Sequence, residues 1–207
     1  MSTSAVQAPE PRVILASQSR FRAAMLAGAG VAAEAMPAHV DEAEVKAAAQ
    51  AEGRSAADAA LLLASLKAER IARRHPDALV IGGDQILVCE DAWFDKPPDL
   101  DTVRAHLRRL RGRTHRLETA ILCQRGGQRV WQHVARPELT MRNFSDAFLE
   151  RYLALEGEVL TTTVGAYRIE GPGAQLFSRV SGEHAAIMGL PLLPLLAFLR
   201  QHRVLMD

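Results

Sequence analysis

Cysteine is scarce, aromatic residues are few and neither charge sign dominates this chain. Two cysteines, Cys89 and Cys123, cannot staple 207 residues, which excludes a disulfide scaffold and fits a reducing compartment. Both sit in apolar strand-like runs and read as core residues. Lys and Arg number 25 against 24 Asp and Glu, a formal net charge of +1, so the chain is no polyelectrolyte for nucleic acid. No stretch has the length of a membrane span. The most apolar one, Ala185 to Leu199, falls short of the roughly 20 residues that cross a bilayer. Pro191 and Pro194 interrupt it, and it reads as a buried C-terminal helix begun by proline. The opening MSTSAVQAPEPR has two prolines and no apolar block, unlike a secretory signal. A cytoplasmic protein with no membrane partner is expected. Neither a GxxxxGK[ST] loop nor a GxGxxG turn is present, and CxxC and HExxH spacings are missing too. Redox and zinc chemistry are therefore not expected.

What is present is an ordinary globular composition, 48% apolar and 24% charged. A compact domain of this length buries roughly 70% of the surface its unfolded chain exposes, so one core suffices. The expectation is a disordered N-terminus over residues 1–12 and a single domain over 13–207. Val13-Ile14-Leu15-Ala16 reads as a short strand ending in Ser17-Gln18-Ser19. Residues 20–27 follow as a helix with Phe21, Ala24 and Met25 at helical spacing. That order puts Ser17 and Ser19 at a strand end beside a helix N-terminus, where free backbone N–H groups favour an anion. Residues 42–75 carry a helical signal broken near Gly53, with Ser55 and Asp58 spaced to cap the second helix. In ALVIGGDQILV (78–88) two apolar runs flank Gly82-Gly83-Asp84-Gln85 and read as a pair of strands. A helix opened by Asp99 or Asp101 follows. Strands over 114–124 and 128–136 are joined by Gly126-Gly127, a hairpin signal. Ser145 caps a further helix through residue 155, and residues 165–182 read as a loop. Strands alternating with helices, plus a hairpin, argue for an α/β fold with a mixed sheet and helices on its faces.

The chemistry-bearing residues are acidic, basic and suited to phosphate. Asp84 between Gly83 and Gln85 reads either as a turn residue or as a functional carboxylate. Asp95-Lys96-Pro97 lies a short hairpin later, and Asp41-Glu42 precedes a helix. Carboxylate oxygens bind magnesium through substrate phosphates, while Arg and Lys take the remaining phosphate charge. Together these groups suggest a metal-assisted phosphate site.

The segments VILASQSRFR (13–22), VDE (40–42), LKA (66–68), IGGDQ (81–85), DKP (95–97), GRTH (112–115), GAYRIEG (165–171) and MGLPL (188–192) occur in that order. This series resembles the Maf family, septum-formation-inhibitor-like nucleoside triphosphate pyrophosphatases, over nearly the whole chain. The resemblance implies an elongated, inosine-triphosphatase-like α/β fold, with a twisted mixed sheet flanked by helices and a cleft between two lobes. It implies a hydrolase that cleaves a nucleoside triphosphate to the monophosphate and diphosphate with a divalent cation, Mg2+ or Mn2+, as a nucleotide-pool house-cleaning activity. Carried onto matching positions, Asp84 is the general base, and Asp84 and Glu42 are the metal carboxylates. Ser17, Arg22, Lys67 and Lys96 are the phosphate ligands. The family usually has SPRR or SPWR where this chain has Ser19-Arg20-Phe21-Arg22, so the proline is missing. A homodimer is the family expectation.

Family members divide by the residues around the base. Phe21, Gln85 and Glu170 resemble the branch acting on 7-methyl-GTP rather than the one acting on dTTP and UTP. A ring methylated at N7 is cationic and would be drawn to an aromatic face at Phe21. Glu170 can accept from the guanine N1–H and amine. The alternatives are a dTTP/UTP pyrophosphatase and a non-catalytic, nucleic-acid-binding division regulator. The latter would use Arg104, Arg108, Arg109, Arg111, Arg113 and Arg116. Near-neutral charge and the lack of a recognition-helix motif favour a solvated face for these arginines, with Asp101 and Glu118 offsetting some of them.

Overall fold

The two apolar runs around Gly82-Gly83 are one strand, not two: residues Leu79–Cys89 form a single continuous β-strand. The computed structural model describes residues 6–206. Its strands are β1 (Val13–Leu15), β2 (Ala33–Ala35), β3 (Leu79–Cys89), β4 (Ala92–Phe94), β5 (Thr114–Arg125), β6 (Gln128–Ala135), β7 (Glu138–Met141) and β8 (Phe177–Ser181). Its helices are α1 (Arg20–Gly28), α2 (Glu42–Ala51), α3 (Ala56–Ala72), α4 (Leu100–Leu110), α5 (Asp146–Glu156), α6 (His184–Ile187) and α7 (Leu192–Gln201), with 3-10 turns at Gly157–Thr162 and Pro172–Leu176. The sheet order is β2-β1-β3-β5-β7-β8, with β4 on β3 and β6 on β5. β1 is parallel to β2 and β3, whereas β4, β6, β7 and β8 pair antiparallel. This is the mixed α/β sheet that the strand and helix signals predict. Gly126 and Gly127 both take positive φ, 57° and 75°, as a two-residue hairpin turn between β5 and β6 requires.

The chain divides into two compact units. The first gathers the residues up to Asp84, then Thr119–Ala135, then the chain from His184 on. The second holds Gln85–Glu118 and Arg136–Glu183. β3 and β5 thus contribute residues to both.

In the first unit β1 is buried along its length, as a parallel strand covered on both faces must be. Val13, Leu15, Ile81, Ile121 and Cys123 form one core with Leu26, Leu195, Phe198 and Leu199 of α1 and α7. α3 presents small residues, Ala60, Ala64 and Ala68, all fully buried. A Cβ on Gly82 would lie 2.2 Å from the Ala64 carbonyl and 2.9 Å from the Ala68 Cβ, so the glycine is what lets α3 approach β3. The sequence signal for a turn at Gly82-Gly83 is thereby explained differently: the glycines admit a helix to a continuous strand.

The expectation of disorder over residues 1–12 is corrected for residues 6–12; residues 1–5 lie outside the described residues. Gln7 bridges Leu205, the Ala8 amide donates to the Val204 carbonyl at 2.9 Å, and the Gln7 side chain exchanges bonds of 3.2 and 2.7 Å with the Ala32 backbone. The partners come from distant chain, which no local pattern announces. The apolar C-terminal run is two helices, with Gly189 at φ 97° between α6 and α7 and Pro191 capping α7. No helix among the described residues is long and apolar enough to cross a membrane.

In the second unit Val103, Leu107 and Leu110 of α4 and Leu149 and Leu153 of α5 are buried. Asp99, not Asp101, caps α4. The stretch 165–182 is not all loop: it ends in β8, which pairs with β7. β8 is mostly exposed and so lacks the alternation that marks a half-buried strand. The arginine run is paired along its length. Arg104 meets Asp101 and Glu150 at 2.6 and 2.8 Å, and Arg111 meets Asp146 at 2.9 Å, with Arg108 on the same carboxylate at 3.5 Å. Arg113 faces Glu90, Arg116 faces Glu118, and Arg109 lies over the Phe94 ring.

Candidate active site

Lys67 is the centre of the arrangement. On α3 it follows Ala64 by one turn, so it faces β3, where Asp84 shares the strand face of Gly82. The same close approach that Gly82 permits brings the Lys67 ammonium to 2.6 Å from Asp84 Oδ1. It also lies 2.6 Å from Glu42 Oε1. Glu42 is the first residue of α2, directly after Asp41, whose side chain is used as the cap and accepts from the Glu44 amide at 3.0 Å. Lys67 and Asp84 are buried and Glu42 is half-exposed. The other Asp84 oxygen, Oδ2, is buried with no hydrogen-bond partner. Burial pushes the Asp84 carboxyl above its ordinary range and Glu42 adds to the push, against the pull of Lys67 and Arg22.

Arg22 ties the end of β1 to the interior of β3 and to the turn between α6 and α7. Its Nε donates to the Gly189 carbonyl at 2.7 Å, and its Nη1 donates to the Gly83 carbonyl at 2.9 Å and to Ser17 Oγ at 3.4 Å. Burial lowers its pKa from the usual range, opposed by Asp84 and Glu42. Ser17 is buried at the end of β1, and its Oγ accepts from the Ser19 amide at 3.1 Å. Ser19 caps α1 by accepting from the Arg22 amide at 3.3 Å. Five of the residues singled out in the sequence, Ser17, Arg22, Glu42, Lys67 and Asp84, thus come together in the first unit. Phe21 is half-buried on α1 and lies outside the core that α1 helps to build. The second unit holds the others. Gln85 follows Asp84 on β3, Lys96 is exposed after β4, and Glu170 accepts from Arg168 Nε at 2.9 Å.

The profile of the Maf-like protein family matches residues 12–202. The chain belongs to the Maf family. This Maf-family chain is 59% identical to a nucleoside triphosphate pyrophosphatase of Granulibacter bethesdensis, covering 94% of this chain and 98% of the relative. The corresponding protein of Rhodospirillum rubrum is 56% identical over 95% of this chain and 98% of its own length. A 7-methyl-GTP pyrophosphatase of Rhizobium meliloti is 47% identical over 93% and 96%. Sequence reasoning on this Maf-family chain missed the backbone acceptors of Arg22, because a carbonyl leaves no mark in the side-chain pattern. It also missed His115, which bonds Tyr167 in the second unit; both lie in motifs already quoted, GRTH and GAYRIEG.

Among the described residues no group of three or more His, Cys, Asp and Glu is placed to hold a metal. Two carboxylates do converge, and they converge on a cation. Magnesium commonly takes one or two carboxylates and completes its shell from substrate phosphates and water. The unpartnered Asp84 Oδ2 and the paired oxygens of Glu42 and Asp84 fit such an ion. Charge argues the same way. Asp84 and Glu42 offset Lys67 and Arg22, so the cluster has no surplus positive charge for a triphosphate.

Proposed function

We propose that this chain is a nucleoside triphosphate pyrophosphatase, hydrolysing the α–β anhydride of a nucleoside triphosphate to the monophosphate and diphosphate in a reaction that needs a divalent cation. The observation that carries the reading is the buried Asp84, raised in pKa and with Oδ2 lacking a hydrogen-bond partner, beside Lys67 in a chain whose close relatives bear that name. A carboxylate made more basic by burial is suited to take a proton from water. Oδ2 receives that proton, and the water oxygen attacks phosphorus as the anhydride oxygen leaves with its electrons. Lys67 holds Oδ1 and fixes the carboxylate's orientation. Glu42 and Asp84 would hold a Mg2+ or Mn2+ ion, which would neutralise charge on the phosphoryl oxygens. Ser17 Oγ, the α1 N-terminus and the Arg22 Nη2 hydrogens meet phosphate. Lys96 supplies a further phosphate cation.

The base read by the enzyme is 7-methylguanine, and the activity serves the nucleotide pool of the cytoplasm, with the two compact units belonging to one functional domain over residues 13–207. Phe21 of the first unit is the aromatic residue this reading assigns to the methylated cation; in the second unit it assigns Gln85 to base selection and Glu170 to the Watson–Crick edge through Oε2, while Arg168 keeps Oε1. No contact to nucleic acid is needed. A homodimer is the expected assembly. Diphosphate release from 7-methyl-GTP, GTP, UTP and dTTP, with Mg2+, with Mn2+ and with chelator, tests the reading. Activity that survives chelation overturns the metal role, and a preference for UTP or dTTP overturns the base assignment. No release from any nucleotide overturns the activity.

A further inference from the structure

The segment Gly165–Gly171 is held by an unusual set of constraints inside the second unit. Tyr167 folds its ring back over Gly165, where a Cβ would lie 2.1 Å from the ring. Ala166 between them is fully buried in the left-handed region, at φ 55°, which costs an alanine energy that other contacts must offset. The contacts are visible. The Tyr167 hydroxyl lies 2.9 Å from His115 Nε2, and its ring meets Phe177 edge-on at 4.8 Å. His115 is itself buried on β5 and tilts against Phe177 at 6.0 Å. One residue on, Arg168 divides its guanidinium between the buried Glu156 carboxylate at 3.4 Å and Glu170 at 2.9 Å. A Cβ on Gly173 would come within 2.4 Å of the Arg168 carbonyl, so the backbone there is closed in from the other side. The bond from β5 to Tyr167 is the polar tie that fixes the strained turn.

We propose that His115 is a positioning residue for base selection: through Tyr167 it fixes the turn that presents Arg168 and Glu170. The proposal rests on the reading of Glu170 as the group that accepts from the base. His115 touches neither substrate nor reacting atoms, so its loss acts on recognition and leaves the hydrolytic step alone.

Tyr167→Phe removes only the hydroxyl and keeps both ring contacts, and His115→Leu removes the partner. Each raises KM for 7-methyl-GTP about tenfold with kcat changed less than about threefold, and each lowers the preference over UTP. His115→Gln, which can still bond the hydroxyl, restores most of it. Amide exchange at Ala166 and Gly171 speeds up in Tyr167→Phe, while exchange in α4 does not. Leu149→Val, a core change in α5, supplies the control for lost stability without a lost tie. If Glu170→Gln abolishes the preference but Tyr167→Phe matches the control in KM and exchange, the positioning role is overturned and the base reading stands. If Glu170→Gln leaves the ranking of bases unchanged, the base reading fails and takes this proposal with it. Should His115→Leu fail to fold, Tyr167→Phe decides.

Discussion

Acidification should destabilise this protein through His115. Burial pushes its imidazole down from 6.5 to about 4, so the folded state keeps it neutral where an unfolded chain would take up a proton. The sign follows from linkage. Between those values the unfolded state binds more protons, so stability falls as pH drops from 6.5 and the loss is complete below the folded value. With those two values the cost is about 2 kcal/mol at pH 5 and about 3 kcal/mol at pH 4. For a chain of this size 2 kcal/mol moves Tm by roughly 4–8 °C. Asp84 works in the opposite direction, because its raised pKa lets the folded state hold a proton more readily than the unfolded one above 3.8. The wild-type profile is therefore a composite, and the informative quantity is its difference from His115→Gln. Urea unfolding at pH 7, 6 and 5 should show that difference shrinking in the variant's favour by about 2 kcal/mol as pH falls. A difference constant within about 0.5 kcal/mol would refute the claim that burial keeps this histidine neutral.

Asp84→Asn keeps the shape and loses the proton acceptor, so diphosphate release should fall on the order of 10²-fold or more while Tm changes little. Activity within a few-fold of wild type would remove Asp84 from the base role. Lys67→Ala leaves two carboxylates facing each other, one of them buried; turnover of every nucleotide should fall alike and unfolding should cost about 3–5 kcal/mol less. A changed ranking of bases instead would overturn the reading of Lys67 as the group that holds the reacting carboxylate, and Lys96→Ala, in its phosphate role, is judged by the same criterion. Gly82→Ala must displace α3 from β3, and a loss of about 2 kcal/mol or more by urea unfolding is expected. Glu170→Gln should lower kcat/KM for 7-methyl-GTP at least about tenfold, roughly 1.4 kcal/mol, with UTP unaffected or improved.

Helix ends were the most legible part of the fold. Ser55 and Ser145 cap their helices as their sequence predicts and Asp99 rather than Asp101 opens α4; Ser19 and Asp41, not read as caps, bond the residue three places on in the same way. The core of the site was legible for another reason: ordered motifs pointed to Ser17, Arg22, Glu42, Lys67 and Asp84, and the fold joins them. What escaped depends on chain distant in sequence. A glycine pair inside β3 reads as a turn until the alanine face of α3 is set against it. β8 is visible only through its pairing with β7, and residues 6–8 only through theirs with residues 204–206. Glu170 pairs with Arg168 two residues away, the local pairing that its spacing allowed from the start.

Arg22 carries a consequence for how the molecule is made. Its 2.7 Å bond to the Gly189 carbonyl joins residues 167 positions apart, and the next residue, Leu190, belongs to the core with Leu195, Phe198 and Leu199. A chain growing from its N-terminus has synthesised Ser17, Glu42, Lys67 and Asp84 long before that carbonyl exists. The unit that contains them is completed only when residues from His184 onward leave the ribosome. Contacts this distant are closed late and slowly. A nascent chain therefore holds Ser17, Glu42, Lys67 and Asp84 without the Arg22–Gly189 tie until residues from His184 onward have emerged.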